Sequence, residues 1–142
     1  MIAGITCSRA PQVTPQAIAG CYVVGWPRGI PQLAAPFPDT LRLDLARTTD
    51  PRATIAAGIP RRRVEVIDSS GEPFRAFLFW WQVERDSITV VKSDGYSGGA
   101  VRMAIRDNAV SGAGYAFSDV VVENGPPAPM FPVIGQRIAC PN

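Results

Sequence analysis

The 142-residue chain contains no histidine. That absence excludes the Ser-His-Asp and Cys-His nucleophilic arrangements, the His-ligated zinc sites and a haem held by a proximal His. Lysine is almost missing too, since all but Lys92 of the fourteen basic residues are arginine. No apolar run approaches the roughly 18 residues that a spanning helix requires. The net charge of +2 and pI near 8.6 are far from the concentrated positive field of a nucleic-acid binder. With 46% hydrophobic residues and a mean hydropathy of +0.08, the composition is that of a folded chain rather than a disordered one. The length accommodates one domain.

The chemistry that remains is sparse. Three separated cysteines lack zinc-ligand spacing, and the twelve carboxylates are dispersed over turns and water-facing positions with no Asp-rich calcium loop. Glu65 with Glu84 is the one carboxylate pairing that separate strands might assemble for glycosidase-like chemistry, and solvated charges on a sheet are the favoured reading. Lys92 and Ser93 are adjacent rather than spaced as in a Ser-Lys hydrolase, and the Gly-rich stretch from Ser93 to Gly99 lacks the P-loop lysine, so it reads as a hairpin connection. The expectation is a non-catalytic protein with no catalytic residue, metal or cofactor.

What is abundant is proline and alternating apolar sequence. Ser8 to Gln16 carries Pro11 and Pro15 among small polar residues and reads as an arm, so residues 1–17 are taken as an N-terminal arm or signal remnant and 18–142 as the folded domain. Strands are expected over Gly20–Trp26, Leu41–Leu45, Arg63–Ile67, Phe74–Glu84, Ile88–Val91, Val101–Arg106, Val110–Phe117 and Val133–Cys140. Leu41, Leu43 and Leu45 share one face while Arg42 and Asp44 take the other. Asp107-Asn108 is a compact hairpin signal. Ala53 to Gly58 is the only segment that reads as a helical turn, and Pro-rich extended loops occupy Pro27 to Asp39 and Asn124 to Pro132. These elements predict an all-β fold, a single eight-stranded antiparallel barrel, with a β-sandwich as the alternative.

Cys21 opens the first strand and Cys140 closes the last, so barrel closure would bring them together as a disulfide, a pairing that favours an oxidising compartment. Two buried free thiols are the other reading. The segment Met1-Ile2-Ala3-Gly4-Ile5-Thr6-Cys7-Ser8 resembles the end of a bacterial lipoprotein signal peptide, although Thr6 stands where that pattern has Gly, Ala or Ser. The resemblance implies lipidation at Cys7. An exposed thiol is the alternative. Gly25-Trp26 approximates the Gly-X-Trp signature of lipocalin-like (calycin-type) domains, and this resemblance, with that to small β-barrel lipoproteins, implies a barrel able to carry a small apolar ligand.

Phe77-Leu78-Phe79-Trp80-Trp81 places large apolar groups on both faces of one strand, so one set must be covered by loops, a ligand or a partner. Leu78 and Trp80 are assigned to the partner-facing set, because Trp is enriched in binding hot spots. Arg61, Arg62 and Arg63 form the one local concentration of charge, suited to an acidic protein surface or lipid phosphate, or else a solvated loop rim. Pro126, Pro127 and Pro129 lie in a segment that loses little entropy on ordering and so serves as a contact strap. Together these features point to an extrinsic structural subunit or adaptor of a bacterial membrane-protein complex, respiratory, photosynthetic or envelope. Its expected place is the periplasm or cell envelope, peripheral to a membrane, with no nucleic-acid partner. The alternative is a lipocalin-like carrier.

Overall fold

The computed structural model describes residues 13–25, 39–49, 59–67, 77–93, 97–118 and 130–141. They form one short helix, α1 (Pro15–Ile18), and eight strands: β1 (Gly20–Gly25), β2 (Thr40–Arg47), β3 (Arg62–Val66), β4 (Phe77–Glu84), β5 (Ser87–Ser93), β6 (Ser97–Arg106), β7 (Ala109–Ser118) and β8 (Met130–Ile138). Each strand pairs antiparallel with the next, and β8 returns to β1, closing the barrel in chain order. Closure leaves no sheet edge to solvent, which is why eight short strands prefer it to two open sheets.

Period-two alternation decides what fills the barrel. Tyr22 and Val24 of β1, Leu41 and Leu43 of β2, Trp80 of β4, Ile88 and Val90 of β5, Val101, Met103 and Ile105 of β6, Val110 of β7, and Phe131 and Val133 of β8 form one buried cluster. The packing is tight at Gly114, where an added Cβ would lie 2.7 Å from both the Phe131 ring and a Val101 methyl. Most charges take the other parity, Arg62, Lys92 and Arg137 being the inward ones among the described residues. Arg42 pairs with Glu65 at 3.5 Å and Arg102 with Glu84 at 3.3 Å across the outer surface. Arg106 reaches Asp86 at 2.8 Å, and its hydrogen bond holds that carboxyl below the ordinary range. The described interior is mainly apolar, and the outer surface of β2, β3 and β6 carries ion pairs.

Three elements differ from the sequence-based expectation. The helix lies at Pro15–Ile18, inside the stretch read as a plain arm, because Pro is tolerated at the first helical position and Thr14 caps it, its Oγ1 accepting from Ala17 N at 3.3 Å. The helical turn expected over 53–58 lies outside the described residues. β5 and β6 run deeper into the Gly-rich stretch than a hairpin loop would allow, with Lys92 opposite Gly99 and Ser93 opposite Gly98. Gly98 is needed in that ladder, since a Cβ there would meet the Lys92 carbonyl oxygen at 2.0 Å. Finally, β8 starts at Met130 and carries Pro132 within it. Pro132 pairs with Ala113 on β7, and among the described residues the pairing of β8 with β1 begins at Ile134.

One end of the barrel is closed by a clasp. Arg137, on the inward parity of β8, places Nη2 2.6–3.0 Å from the carbonyl oxygens of Ala17, Ile18 and Ala19 and 2.7 Å from the Tyr22 hydroxyl. The Tyr22 hydroxyl itself donates to the Ile18 carbonyl. Burial pushes the Tyr22 pKa up, and the Arg137 charge and hydrogen bond pull it partly back. Gln82 Nε2 ties Val13 to the same end by donating to its carbonyl at 2.6 Å. The guanidinium thus satisfies carbonyls that the last turn of α1 would leave bare. Arg137→Met should keep the packing stem, lose these bonds and lower the unfolding free energy by about 2–3 kcal/mol. Urea midpoints at equal m-value measure it, and a change below about 0.5 kcal/mol would remove the clasp from the account.

The disulfide completes this end. Cys21 and Cys140 are bonded, with Cα atoms 5.1 Å apart and a sequence separation of 119. Cys21 is on the outward parity of β1 yet fully buried. Cys7 lies outside the described residues.

Candidate functional site

The residues singled out on the aromatic strand and in the arginine run meet at one place, the seam between β3 and β4. Two ladder pairs hold it: Arg62 opposite Trp80 and Arg63 opposite Phe79. Parity sends Arg62, Trp80 and Leu78 toward the interior and Arg63, Phe79 and Trp81 to the outer surface.

Trp80 is not the outward anchor expected of it. Its side chain is fully buried in the barrel core, and Nε1 donates to the Asp44 carbonyl at 2.9 Å. An indole needs both a large apolar volume and one acceptor, and the barrel interior beside the irregular stretch of β2 after Leu43 supplies both. Leu78, on the same inward row, is half-buried. On the outer parity stand Phe79, itself buried at 8% exposure, and the half-buried Trp81, stacked with ring centroids 5.6 Å apart and planes at 22°.

The three arginines divide their work. Arg62 turns inward, its guanidinium 5.9 Å from the Trp80 ring centre and its Nη1 donating to the Leu45 carbonyl. Arg63 stays outside and bonds Glu65 at 2.7 Å, with Asp44 at 3.9 Å. Arg61 lies over the outer aromatics, 3.8 Å from the Trp81 ring centre and 6.0 Å from that of Phe79. Its Nη1 is buried with no hydrogen-bond acceptor, and this desolvation pulls its pKa down. A partly desolvated guanidinium over an aromatic face gains a cation–π contact, while Nη1 is left as an unpaired donor. The run is therefore not the solvated rim that three consecutive arginines suggest, because the strand alternates their directions and each finds different neighbours.

Glu65 and Glu84 are each engaged by arginines on the outer surface, Glu65 by Arg42 and Arg63 and Glu84 by Arg102. Pro126, Pro127 and Pro129 lie outside the described residues, as does Trp26 of the Gly25-Trp26 signature. The aromatic at the closed end is Tyr22, two residues after Gly20. Sequence reasoning missed the Arg137 clasp, although an arginine in register with Phe131 and Val133 was a readable sign of an inward charge.

A second surface feature lies across the barrel. The outward residues of β7 and β8, from Ser111, Ala113, Tyr115 and Phe117 to Met130, Pro132, Ile134 and Gln136, carry no charge. Ile134 is 70% exposed, Met130 65% and Tyr115 47%. Tyr115 stands opposite Met130, and Ser111 opposite Ile134.

The fold is a closed, up-and-down eight-stranded antiparallel barrel. Comparison with protein-family models, curated proteins and solved structures gives no match for this chain.

Proposed function

We propose that the protein is a non-catalytic extrinsic subunit or adaptor that docks on a membrane-protein complex of the bacterial envelope. One observation carries the reading: large apolar side chains stand on the outside of a barrel whose described interior is already packed with side chains. A carrier concentrates its apolar surface in a cavity, whereas a docking module presents it outward. The uncharged β7–β8 sector contrasts with the ion-paired surface of β2, β3 and β6. It suits the low-charge surface of a protein subunit close to a bilayer, where desolvating a charge would be costly. The Cys21–Cys140 bond supports an oxidising compartment such as the periplasm.

Ile134→Asp tests this reading. On an exposed strand position it should change stability by no more than about 1 kcal/mol. Retention on washed native membranes should fall at least about tenfold, as expected when a docking surface acquires an unpaired charge. Binding to protein-free lipid vesicles equal to that on native membranes would move the partner from protein to lipid. Unchanged retention of a combined Tyr115→Asp, Met130→Asp and Ile134→Asp variant would overturn the reading.

A second reading, a lipocalin-like carrier of a small apolar ligand, is favoured by the strand order, an up-and-down barrel closed in chain order. α1, Arg137 and the short turns at Arg85–Asp86 and Asp107–Asn108 gather at one end, and the inward Lys92, 4% exposed, lies toward the other. Native mass spectrometry of protein taken from its source decides it, through a bound organic molecule in defined stoichiometry.

A further inference from the structure

The end of the barrel that carries the clasp is basic on one side. β2 finishes there with Arg47, β3 begins there after Arg61, and β4 turns into β5 through Arg85 and Asp86. Arg47 and Arg85 are exposed, and among the described residues neither has an ion-pair partner. Arg42, Arg63, Arg102 and Arg106 differ in this, since each meets a carboxylate. The acids of this end are mostly engaged, Glu84 by Arg102 and Asp86 by Arg106, while Asp107 belongs to the β6–β7 turn on the other side of β5 and β6. The connection over 50–58 holds Asp50 and Arg52 and so adds no net charge. An uncompensated positive field therefore stands over the part of this end formed by β2, β3 and β4.

Apolar side chains stand beside these charges. Arg61 lies 3.8 Å over the Trp81 ring, and two residues further out on each chain, at the same outward parity, come Ile59 and Val83. They are 45% and 41% exposed. The other exposed large apolar residues, Val23, Tyr115, Met130 and Ile134, lie on β1, β7 and β8, whose outward positions carry no charge. The two surfaces are thus of different kinds: an uncharged apolar sector on the wall, and at the end a few aliphatic and aromatic groups set among arginines. Aliphatic tips, an indole and free guanidinium groups side by side suit a boundary with apolar material below and anions at its surface, which is the arrangement of acyl chains under phosphate head groups. A lipid surface supplies both at every point, an acidic protein only where an apolar pocket lies beside its carboxylates.

The path of the chain agrees. Gln82 Nε2 donates to the carbonyls of both Val13 and Arg85, so the segment before Val13 joins the fold beside Val83 and Arg85. Cys7 is six residues further back, at most about 20 Å of extended chain. A lipid there, which the signal-peptide resemblance implies, would hold this end of the barrel against a bilayer. We propose that this end rests on an anionic lipid surface, Ile59 and Val83 entering the head-group layer beside Trp81 while Arg47 and Arg85 meet lipid phosphates. The inference rests on the adaptor reading for the presence of a bilayer and gives the domain its orientation there, clasp end down and the β7–β8 sector turned sideways to a protein subunit. Two free arginines and two aliphatic side chains make a weak, salt-sensitive attachment.

Co-sedimentation of the purified full chain with vesicles tests the contact. Vesicles of phosphatidylglycerol and phosphatidylcholine in about equal amounts are compared with phosphatidylcholine alone, at low salt and at about 0.5 M salt. The expected result is binding to the anionic vesicles at least about tenfold above the neutral ones, lost at high salt, and weaker than retention on native membranes. Arg47→Gln with Arg85→Gln should lower it at least about tenfold, Val83→Asp should do the same, and Arg47→Lys with Arg85→Lys should keep it, with melting temperature as the check on folding. Equal binding to neutral and anionic vesicles, or full binding by the Gln double variant or by Val83→Asp, would overturn the proposal. No binding to anionic vesicles would overturn it too, and loss of native-membrane retention by the Gln double variant would then give this end an acidic protein as its partner. The adaptor reading fails separately. The combined Tyr115→Asp, Met130→Asp and Ile134→Asp variant should bind anionic vesicles as the parent does, whatever its retention on native membranes, and loss of its vesicle binding would move the lipid contact to the wall and overturn the proposal.

Discussion

Replacing Cys21 and Cys140 together by alanine is expected to lower the unfolding free energy by about 5 kcal/mol, the largest single effect in this protein. The bond links residues 119 apart, so nearly the whole chain is one loop, and the chain-entropy relation for a loop of that size gives about 5 kcal/mol at 25 °C. Alanine is the appropriate replacement because Cys21 is fully buried, where a serine hydroxyl would add its own desolvation cost. Against a total of about 5–15 kcal/mol for an ordinary domain, the variant should sit near the edge of folding, with a melting temperature about 10–20 °C lower. Denaturant titration of the oxidised parent and the double variant measures the difference. A loss under about 1 kcal/mol would mean that the clasp and the barrel ladders hold the termini without the bond, and it would also weaken the argument for an oxidising compartment.

Trp80→Ala should cost about 3–5 kcal/mol, the range for emptying a large aromatic from a packed core. Its side chain is fully buried among Leu43, Val90, Val101 and the rest of the barrel cluster. Trp80→Phe separates two contributions. The ring largely remains, but the Asp44 carbonyl loses the Nε1 donor at 2.9 Å, and leaving that acceptor without its partner should cost about 1–3 kcal/mol. In both variants, retention on native membranes should follow the folded fraction and nothing more. A variant that stays as stable as the parent while losing retention would return Trp80 to the docking surface, against its burial.

Trp80 and Ile134 show how far the sequence could be read. In Phe77-Leu78-Phe79-Trp80-Trp81, strict alternation separates two apolar sets, but nothing local says which set faces the core. Closure decided it: the set carrying Trp80 met the Asp44 carbonyl inside, and the set carrying Trp81 met Arg61 outside. Ile134 reads as an ordinary strand residue. Its exposure follows from register, because Phe131 and Val133 had already taken the inward positions of β8. The arginine run misled for the same reason, since three consecutive charges on a strand point alternately and so have different neighbours.

The sequence by itself determined the all-β class, the eight strands near their final places, the parity of Leu41 and Leu43, and a disulfide between the ends of the first and last strands. These depend on local quantities: side-chain period, turn residues, and the position of two cysteines relative to strand ends. Only the tertiary structure decided barrel over sandwich, which aromatic faces outward, and the Arg137 clasp on α1. Each of these is a relation between residues distant in sequence, such as Arg137 with Ala17 or Trp80 with Asp44. Such relations are set by strand register and barrel closure, which a single strand's pattern does not encode.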